Sequence, residues 1–598
     1  MSSRTIRFHF YHYPGGGSNF KTTKSQTHSY FPLSVVLTLS FTLVSIMSFC
    51  NNSFVTPDMG GSRIAKKPKM ESPDFIRNLP DEIIITILSK LCIDEAVRCD
   101  VLSKRWKDLW KETPHIEFNT KHMVKPLTQL LQSRKPRTDP DFSTVVPTTL
   151  KGVNCCNTLV LLMILKHSGA ISSCRIQHFK KSLAFGDVES WVDFLVDIKK
   201  GLKDLSLECV PHCGETTESI VYQESIYIPT FAHGIFECLN SLELINYTLD
   251  CWLPFQECSH LKKLTMKRIY LDDETLSGIL ENCVVLENFS LLQSIGFARL
   301  IIVKSTIKVL QLQALCVDEL QISCNNLDVL LLDSIICPVK NVSIYAPCLK
   351  NFHSYSNSMY ARMLSIKNEK PMVKTHDILA HCSGLWGSPN RNIFQNVSTL
   401  SFDLDLNNMR EARVLSDVLK LCRNLQVIEI ALPIFRPKSL SSSSSKVCDL
   451  SHPISMFWER RELCYCISQK LKFVHIKGFR GEEQEVEFAK YLITRATMMK
   501  RITIICSNLK EAAENLLSLP MASGKLSINL KLNANNPMDD FAEQQNKLLK
   551  FQRMTSVGKL SNSFCVECGA KSLSAWCNNP GFEHFISFVF RELIDVYR

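Results

Sequence analysis

The sequence predicts an α/β chain: three short helices, then an irregular solenoid of short parallel strands, then a strand, helix, strand, helix block. Three observations predict it. Apolar residues recur at three- and four-residue spacing between Asp74 and Trp110, the period of a helix face. The pattern Leu-x-x-Leu-x-Leu returns six times between Leu202 and Leu332. Beyond a serine run, the apolar period alternates between that of a strand and that of a helix from Leu471 to Ile504.

Composition sets the outer bounds. At 598 residues, 45% hydrophobic and 21% charged, the chain can bury a sizeable core and hold several domains. Its 21 Gly and 24 Pro are too few for a chain dominated by linkers. A net charge of +11 is mild at this length, and no long basic stripe interleaves with aromatics, so nucleic-acid binding is not indicated. The 25 cysteines are odd in number and lack the spacing of a small disulfide framework. Cys258, Cys283, Cys324 and Cys422 each precede a Leu by three residues, as a small buried residue at a fixed repeat position would. This pattern implies reduced structural thiols in cytoplasm or nucleus.

Residues 1–71 form an N-terminal extension whose first thirty residues show no period and are expected to be disordered. Residues 31–50 carry no charge and are long enough to cross a bilayer, though Pro32 and six hydroxyl residues dilute the stretch. Three readings stay open: a membrane anchor, a targeting segment, and an upstream extension outside the working protein, with Met59 and Met70 as alternative starts. If 31–50 spans, the basic excess at Arg63, Lys66, Lys67 and Lys69 keeps the rest of the chain on the cytosolic side.

Over 72–118 the chain reads as the three-helix module. Pro80 suits a helix start, and Asp81 and Glu82 suit the positive end of its dipole. Ile83, Ile84, Ile87, Leu88 and Leu91 then line one face. Asp94 can cap a second helix carrying Ala96, Val97 and Val101, and Leu102, Trp106, Leu109 and Trp110 form a third apolar stripe. So small a unit cannot bury these side chains alone and needs a partner surface. The runs NLPDEIIITILSKL and EAVRCDVLSKRWKDLW closely resemble the F-box, the module that docks on the Skp-type adaptor of cullin-RING ubiquitin ligases. The resemblance implies that Leu79, Pro80, Ile83, Ile87, Leu91, Val101, Leu102 and Trp106 fill the adaptor's groove. Cys92 and Ile93 stand where that family often has Pro and a small residue.

Residues 119–150 are polar and punctuated by proline, as in a connector. From 151 to 438 the repeats take over: starts at Leu239, Leu261, Leu286, Ile307 and Leu327 are 22, 25, 21 and 20 residues apart, the leucine-rich-repeat period. Each repeat supplies a short strand and a return segment, and none is stable without its neighbours. Residues 271–291 predict a whole unit, with Leu276, Ile279 and Leu280 on a helix, a turn at Cys283, and a strand at Leu286, Phe289 and Leu291. Weaker strands of the same array are expected at Val339/Val342/Ile344, Leu349/Phe352, Val397/Leu400/Phe402 and Leu425/Ile428/Ile430, with an insertion loop over 355–390. Residues alternating with the inward leucines line the concave face: Asp204, Ser206, Lys263, Thr265, Asn288, Ser290, Val309, Gln311, Val329 and Leu331. This face is a candidate for binding target proteins, as are the loops.

A serine-rich loop at 439–453 precedes the last block, 454–530. Leu471/Val474/Ile476 reads as a strand, Gly478 and Gly481 as a turn, Val486, Ala489, Ile493 and Ala496 as a helix face, and Met499/Ile502/Ile504 as the next strand. Such alternation extends a parallel sheet. The run from Leu463 to Ile504, after Phe457-Trp458-Glu459, resembles the FBD domain that follows leucine-rich repeats in many plant F-box proteins. In the tail, 531–598, Cys565, Cys568, Cys577 and His584 suggest zinc, but the second pair is spaced unlike common zinc motifs, so no metal is assigned. Phe590, Leu593, Ile594 and Tyr597 fit an ordinary helix face.

No phosphate-binding glycine loop or nucleophile–base pattern occurs, and His260, His353 and His475 fall in or beside repeat strands. The resemblance thus implies a non-catalytic chain without cofactor. Its F-box would bind a Skp-type adaptor and through it cullin, and its repeats and FBD block would hold target proteins. A repeat scaffold without ligase activity and a membrane-anchored repeat protein are the alternatives.

Overall fold

The computed structural model describes residues 79–120, 122–123, 156–179, 182, 186–197, 201–210, 231–356, 373–382, 393–433, 457–507 and 511–532. The segment 31–50, the four zinc-suggestive residues of the tail and its terminal helix face lie outside them. The first described elements are helices α1 (Asp81–Leu88) and α2 (Ile93–Arg98). Strands β1 (His115–Asn119), β2 (Ser173–Phe179), β3 (Asp204–Val210), β4 (Ser241–Ile245), β5 (Lys263–Lys267) and β6 (Asn288–Leu292) come after them, with helices α3 (Asp187–Asp197) and α4 (Asp273–Asn282) between strands. Next come β7 (Arg299–Val303), β8 (Val309–Gln313), β9 (Glu319–Ser323), β10 (Val329–Asp333), β11 (Val342–Tyr345), β12 (Asn351–Tyr355) and α5 (Thr375–Cys382). The described chain ends through β13 (Thr399–Asp403), α6 (Met409–Leu421), β14 (Val427–Ala431), α7 (Tyr465–Gln469), β15 (Phe473–Phe479), α8 (Glu483–Arg495), β16 (Arg501–Cys506), α9 (Glu511–Glu514) and β17 (Ser527–Leu532).

Fourteen of these strands form one parallel sheet, β1-β2-β3-β4-β5-β6-β8-β10-β12-β13-β14-β15-β16-β17. The repeat leucines explain its register. Leu205, Leu242, Leu264, Phe289, Leu310, Leu330, Phe352, Leu400, Ile428, Val474 and Ile502 fall on one line across the strands. Each is buried, and each contributes about 1.5–3 kcal/mol by leaving water. A one-residue slip would turn the whole line outward, so the pattern sets the pairing. Cys258, Cys283, Cys324 and Cys422 are all buried below the strands they precede, and the cysteines among the described residues are free thiols.

A left-handed residue leaves each of five consecutive sheet strands: Asn246, Arg268, Gln293, Ala314 and Ser334, with φ between 51° and 65°. Such a conformation costs roughly 1–2 kcal/mol for a residue with a Cβ. It is offset because it aims each N–H at the last carbonyl of the next strand, as from Ala314 to Asp333 at 2.7 Å and from Gln293 to Gln313 at 2.7 Å.

Several expectations need correction. The third helix of the N-terminal module is not an α-helix: two 3₁₀ turns, Cys99–Val101 and Leu109–Glu112, stand in its place. Asp94 does not cap α2. Cys92 occupies that position, while Asp94 lies in the first turn, buried and paired with Arg98 at 3.0 Å. Val342 and Ile344 are not in the main array, because β11 joins β9 and β7 in a second, outer sheet. There the return segments alternate apolar residues (Leu300/Ile302, Leu320/Ile322, Val342/Ile344), a strand period, so they return as strands where α4 returns as a helix. The stretch 355–390 is not loop throughout, since it contains α5. The module also runs into the sheet without a break, as β1 crosses the expected boundary at 118 and 119.

The unit expected at 271–291 forms as predicted, with Asp272 capping α4 through Thr275 N at 2.8 Å. The last block forms its strand, helix and strand, but Gly478 lies within β15 and not in the turn, Val486 is only half-buried, and Ala496 follows α8. From β15 through α8 to β16 it matches the preceding unit, β13 through α6 to β14, at a constant offset of 74 residues: Leu400 with Val474, Glu411 with Glu485, Leu425 with Met499, Ile428 with Ile502. The block is therefore two more turns of the same solenoid. Gly478 makes a bulge in β15 at φ 76°, where a Cβ would stand 2.6 Å from the Leu432 carbonyl. The added strand β17 has no counterpart among the sequence expectations.

Candidate docking faces

Helix α1 has two apolar sides. Ile84 and Leu88 are buried, but Ile83 and Ile87, one turn apart, are 46% and 40% exposed. The five apolar residues thus do not share one face, and the outward pair has no partner surface among the described residues. Pro80 is exposed at the helix start, and Leu79 and Leu91 are half-buried. Leu102 is 63% exposed. Trp106 is a correction: it is buried, because the chain turns tightly from Ser103 to Leu109 and sends the indole inward. The side chain of Val101 lies outside the described residues. Arg105 pairs with Asp81 at 2.7 Å and so ties the 102–106 turn to the start of α1.

The inner side of this module is fastened to the solenoid. Helix α2 packs against β1, and Trp110 is fully buried. Ser168 and Gly169 N–H donate to the Lys111 carbonyl at 3.0 and 2.9 Å, and His167 Nε2 meets the Thr113 carbonyl at 2.9 Å. Burial lifts the Asp94 carboxyl despite its arginine partner. The outward isoleucines therefore sit on a module braced from behind.

The second candidate face is the side of the main sheet opposite the buried repeat leucines. One register line runs through Asp204, Lys263, Asn288 and Val309, all half-exposed. The line above it holds Ser206, Thr265, Ser290, Gln311 and Leu331. Strands about 4.8 Å apart press these side chains together, so all but Ser206 are nearly buried, as is Val329. They form a floor beneath the half-exposed line. Polar rungs cross neighbouring strands: Ser206 Oγ to Glu243 at 2.6 Å, Ser290 Oγ to Gln311 at 3.4 Å, Gln313 Nε2 to Asp333 at 2.9 Å and Ser401 Oγ to Glu429 at 2.9 Å.

Sequence reasoning missed the richest part of this face, where Asp333, Tyr355 and Asp403 fall side by side on β10, β12 and β13. They sit one position beyond the last inward residue of each strand (Leu332, Ser354 and Phe402), a place the six-residue pattern leaves out. Asp403 accepts from Ser356 N at 2.9 Å and from the Thr375 hydroxyl, pinning both ends of the insertion to β13. Burial pushes Asp333 up to about 6, pushes Tyr355 up, and pulls His353 down to about 4. Their contributions to stability oppose one another. A carboxyl raised in the folded state stabilises fully below its ordinary range and loses that contribution as pH rises through about 6. A histidine held neutral stabilises above its ordinary range and loses that contribution as pH falls towards about 4. Asp333→Asn is expected to raise stability by about 1 kcal/mol near pH 7.5 and to leave it unchanged near pH 4, read as the unfolding midpoint at each pH.

Among the described residues no three His, Cys, Asp or Glu side chains group as metal ligands, and no helix is long and apolar enough to cross a membrane.

A braced helical module on a parallel repeat solenoid is the architecture these elements make. The F-box domain family matches residues 76–115, "FBD-associated F-box protein At5g56370, LRR repeats" matches 188–430, and FBD matches 459–504. Similar proteins in Arabidopsis thaliana include F-box protein At1g80960, 26% identical over 470 residues, which are 77% of this chain and 88% of that one. Putative F-box protein At1g67390 is 24% identical over 491 residues, 79% of this chain and 94% of that one. F-box/FBD/LRR-repeat protein At1g13570 is 28% identical over 230 residues, 37% of this chain and 44% of that one. In order along the chain, these matches are to an F-box domain, to the leucine-rich repeats of an FBD-associated F-box protein and to an FBD domain, the arrangement that the names of similar proteins also carry.

Proposed function

We propose that this chain is the substrate-recognition subunit of an SCF-type cullin-RING ubiquitin ligase. The observation that carries the reading is the outward pair Ile83 and Ile87, with Pro80 and Leu102, exposed on a module whose other side is fixed to the solenoid. An apolar helix face of this kind fits a hydrophobic groove, as on a Skp-type adaptor. The adaptor would link the chain to cullin, and the solenoid would hold a target protein beside the ligase's catalytic parts, so that proximity does the work. The chain needs no cofactor and no reacting group of its own for this. Free thiols at the repeat positions suit cytoplasm or nucleus.

The test is capture of the full chain on purified Skp-type adaptor, beside the double variant Leu79→Ala/Pro80→Ala. Binding by the wild type and its loss in the variant support the reading. Equal binding by both places the docking face elsewhere, and no binding by the wild type favours a repeat scaffold without ligase activity.

The second candidate face gives a separate prediction. Lys263 and Asn288 are register neighbours on the half-exposed line. Lys263→Glu with Asn288→Glu is expected to change which target proteins are captured, while adaptor binding and unfolding midpoint stay at wild-type values. Cross-linking mass spectrometry with an unchanged set of targets would count against this face.

A further inference from the structure

The residues just before the strands of the main sheet stand side by side on one rim, joined by backbone hydrogen bonds. Asp328 N–H donates to the Lys308 carbonyl at 2.8 Å and Lys350 N–H to the Asp328 carbonyl at 3.0 Å. Further along, Lys472 N–H donates to the Gln426 carbonyl at 2.8 Å, Lys500 N–H to the Lys472 carbonyl at 2.8 Å and Ser527 N–H to the Lys500 carbonyl at 3.0 Å. In the middle of the sheet the rim is neutralised: Lys308 pairs with Glu287 at 3.1 Å and Lys350 with Asp328 at 2.7 Å. Before β14, β15, β16 and β17 the balance changes. Residues 422–427, 468–473, 496–501 and 523–527 hold Arg423, Lys470, Lys472, Lys500, Arg501 and Lys525 but no Asp or Glu. Arg423, Lys500, Arg501 and Lys525 are exposed, and Lys470 and Lys472 half-exposed. Lys472 Nζ reaches only a neutral side-chain acceptor, Gln426 Oε1 at 2.9 Å, and none of the six is ion-paired with a carboxylate among the described residues. Like charges on strands about 4.8 Å apart repel one another, a cost that a bound anion offsets.

We propose that this basic rim, at the FBD end of the solenoid, binds an extended acidic segment of the target protein, which rests on the target-holding role proposed above. Four strands span roughly 15 Å, the length of about five extended residues. The rim also carries Met498, 50% exposed, and runs into Val427 and Phe473, half-exposed register neighbours on the first line of the second candidate face. A segment that alternates carboxylates with apolar side chains satisfies both the charges and this apolar surface. Single-stranded nucleic acid would need aromatic faces for its bases, and Phe473 is the one aromatic residue in the four segments. The sequence shows no basic stripe here, because only the strand register brings the four segments together.

Fluorescence anisotropy of the full chain tests the proposal with a labelled peptide of Asp-Leu-Asp-Ser repeats and its counterpart with Asn in place of Asp. At about 0.1 M salt, where charges act over about 10 Å, the acidic peptide is expected to bind at least about tenfold more tightly than its counterpart. Lys500→Glu with Arg501→Glu is expected to cancel that preference. Lys308→Glu with Lys350→Glu, the same change of charge on the neutralised part of the rim, is expected to leave it within about twofold. Thermal unfolding midpoints check that both variants fold. If the first does not, Lys500→Gln with Arg501→Gln serves, with a loss of at least about threefold expected. Capture on Skp-type adaptor reports on the docking reading separately and is expected to be equal for all these proteins. Equal binding of the two peptides by the wild type overturns the proposal, and so does an equal loss in the two Glu variants. Tighter binding of oligothymidylate than of the acidic peptide overturns it in favour of nucleic acid, and binding confined to vesicles containing phosphatidylserine overturns it in favour of an anionic membrane.

Discussion

Replacing Ile83 and Ile87 together by Asp is expected to weaken adaptor binding by at least about 1,000-fold while leaving the unfolding midpoint within a degree or so of wild type. Both side chains are already largely in water, at 46% and 40% exposure, so the folded chain gives up little when they become polar. In a complex each carboxylate would be taken into an apolar groove without a partner, and a central contact of this kind is worth about 2–4 kcal/mol. Two of them on adjacent turns exceed the roughly 4 kcal/mol that a 1,000-fold change needs. The neighbouring positions give the control. Ile84 and Leu88 are buried on the other side of α1, and Ile84→Ala is expected to destabilise the module by about 2–5 kcal/mol. Titration calorimetry for binding and thermal unfolding for stability separate the two. If the Asp pair binds as wild type does, α1 is not the docking helix.

The same four side chains show what could be read in advance. Apolar spacing established that α1 forms and where it starts, but it could not divide Ile83 and Ile87 from Ile84 and Leu88, because both pairs obey helical spacing. Only the tertiary contact between the module and β1 decides which side faces inward. The solenoid was more legible. A strand that buries every second residue prints its register into the leucine pattern, so the lines from Leu205 to Ile502 were largely visible before the fold. Where return segments shorten, that signal weakens: β7, β9 and β11 carry the alternation of any strand, and nothing local assigns Val342 and Ile344 to an outer sheet instead of the main one. Likewise Asp333, Tyr355 and Asp403 are distant in sequence and meet only because three strands stack in register.

The offset of 74 residues between the last two helical units leads to the other large effect. Glu411 and Glu485 hold equivalent places near the starts of α6 and α8, and each carboxylate takes a backbone N–H from the loop that leaves its strand: Asp405 N at 2.8 Å for Glu411, Arg480 N at 2.7 Å and Gly481 N at 3.1 Å for Glu485. Glu485 is completely buried and also receives the Arg480 guanidinium at 3.1 Å, yet burial outweighs that partner and raises its carboxyl above the ordinary value. Removing it would leave Arg480, only 14% exposed, without its nearest anion and two loop amides without an acceptor. Glu485→Ala is therefore expected to destabilise the C-terminal units by about 3–5 kcal/mol. Glu485→Gln, which still accepts from the backbone, is expected to be milder. Because each repeat touches only its neighbours, the loss should stay local. Hydrogen exchange at Ile502 and Ile504 should quicken by about 100-fold or more in Glu485→Ala, while Leu242 and Leu264 keep wild-type rates. Uniform acceleration along the sheet would instead mean that the solenoid unfolds as one unit and that the FBD turns are inseparable from the repeats before them.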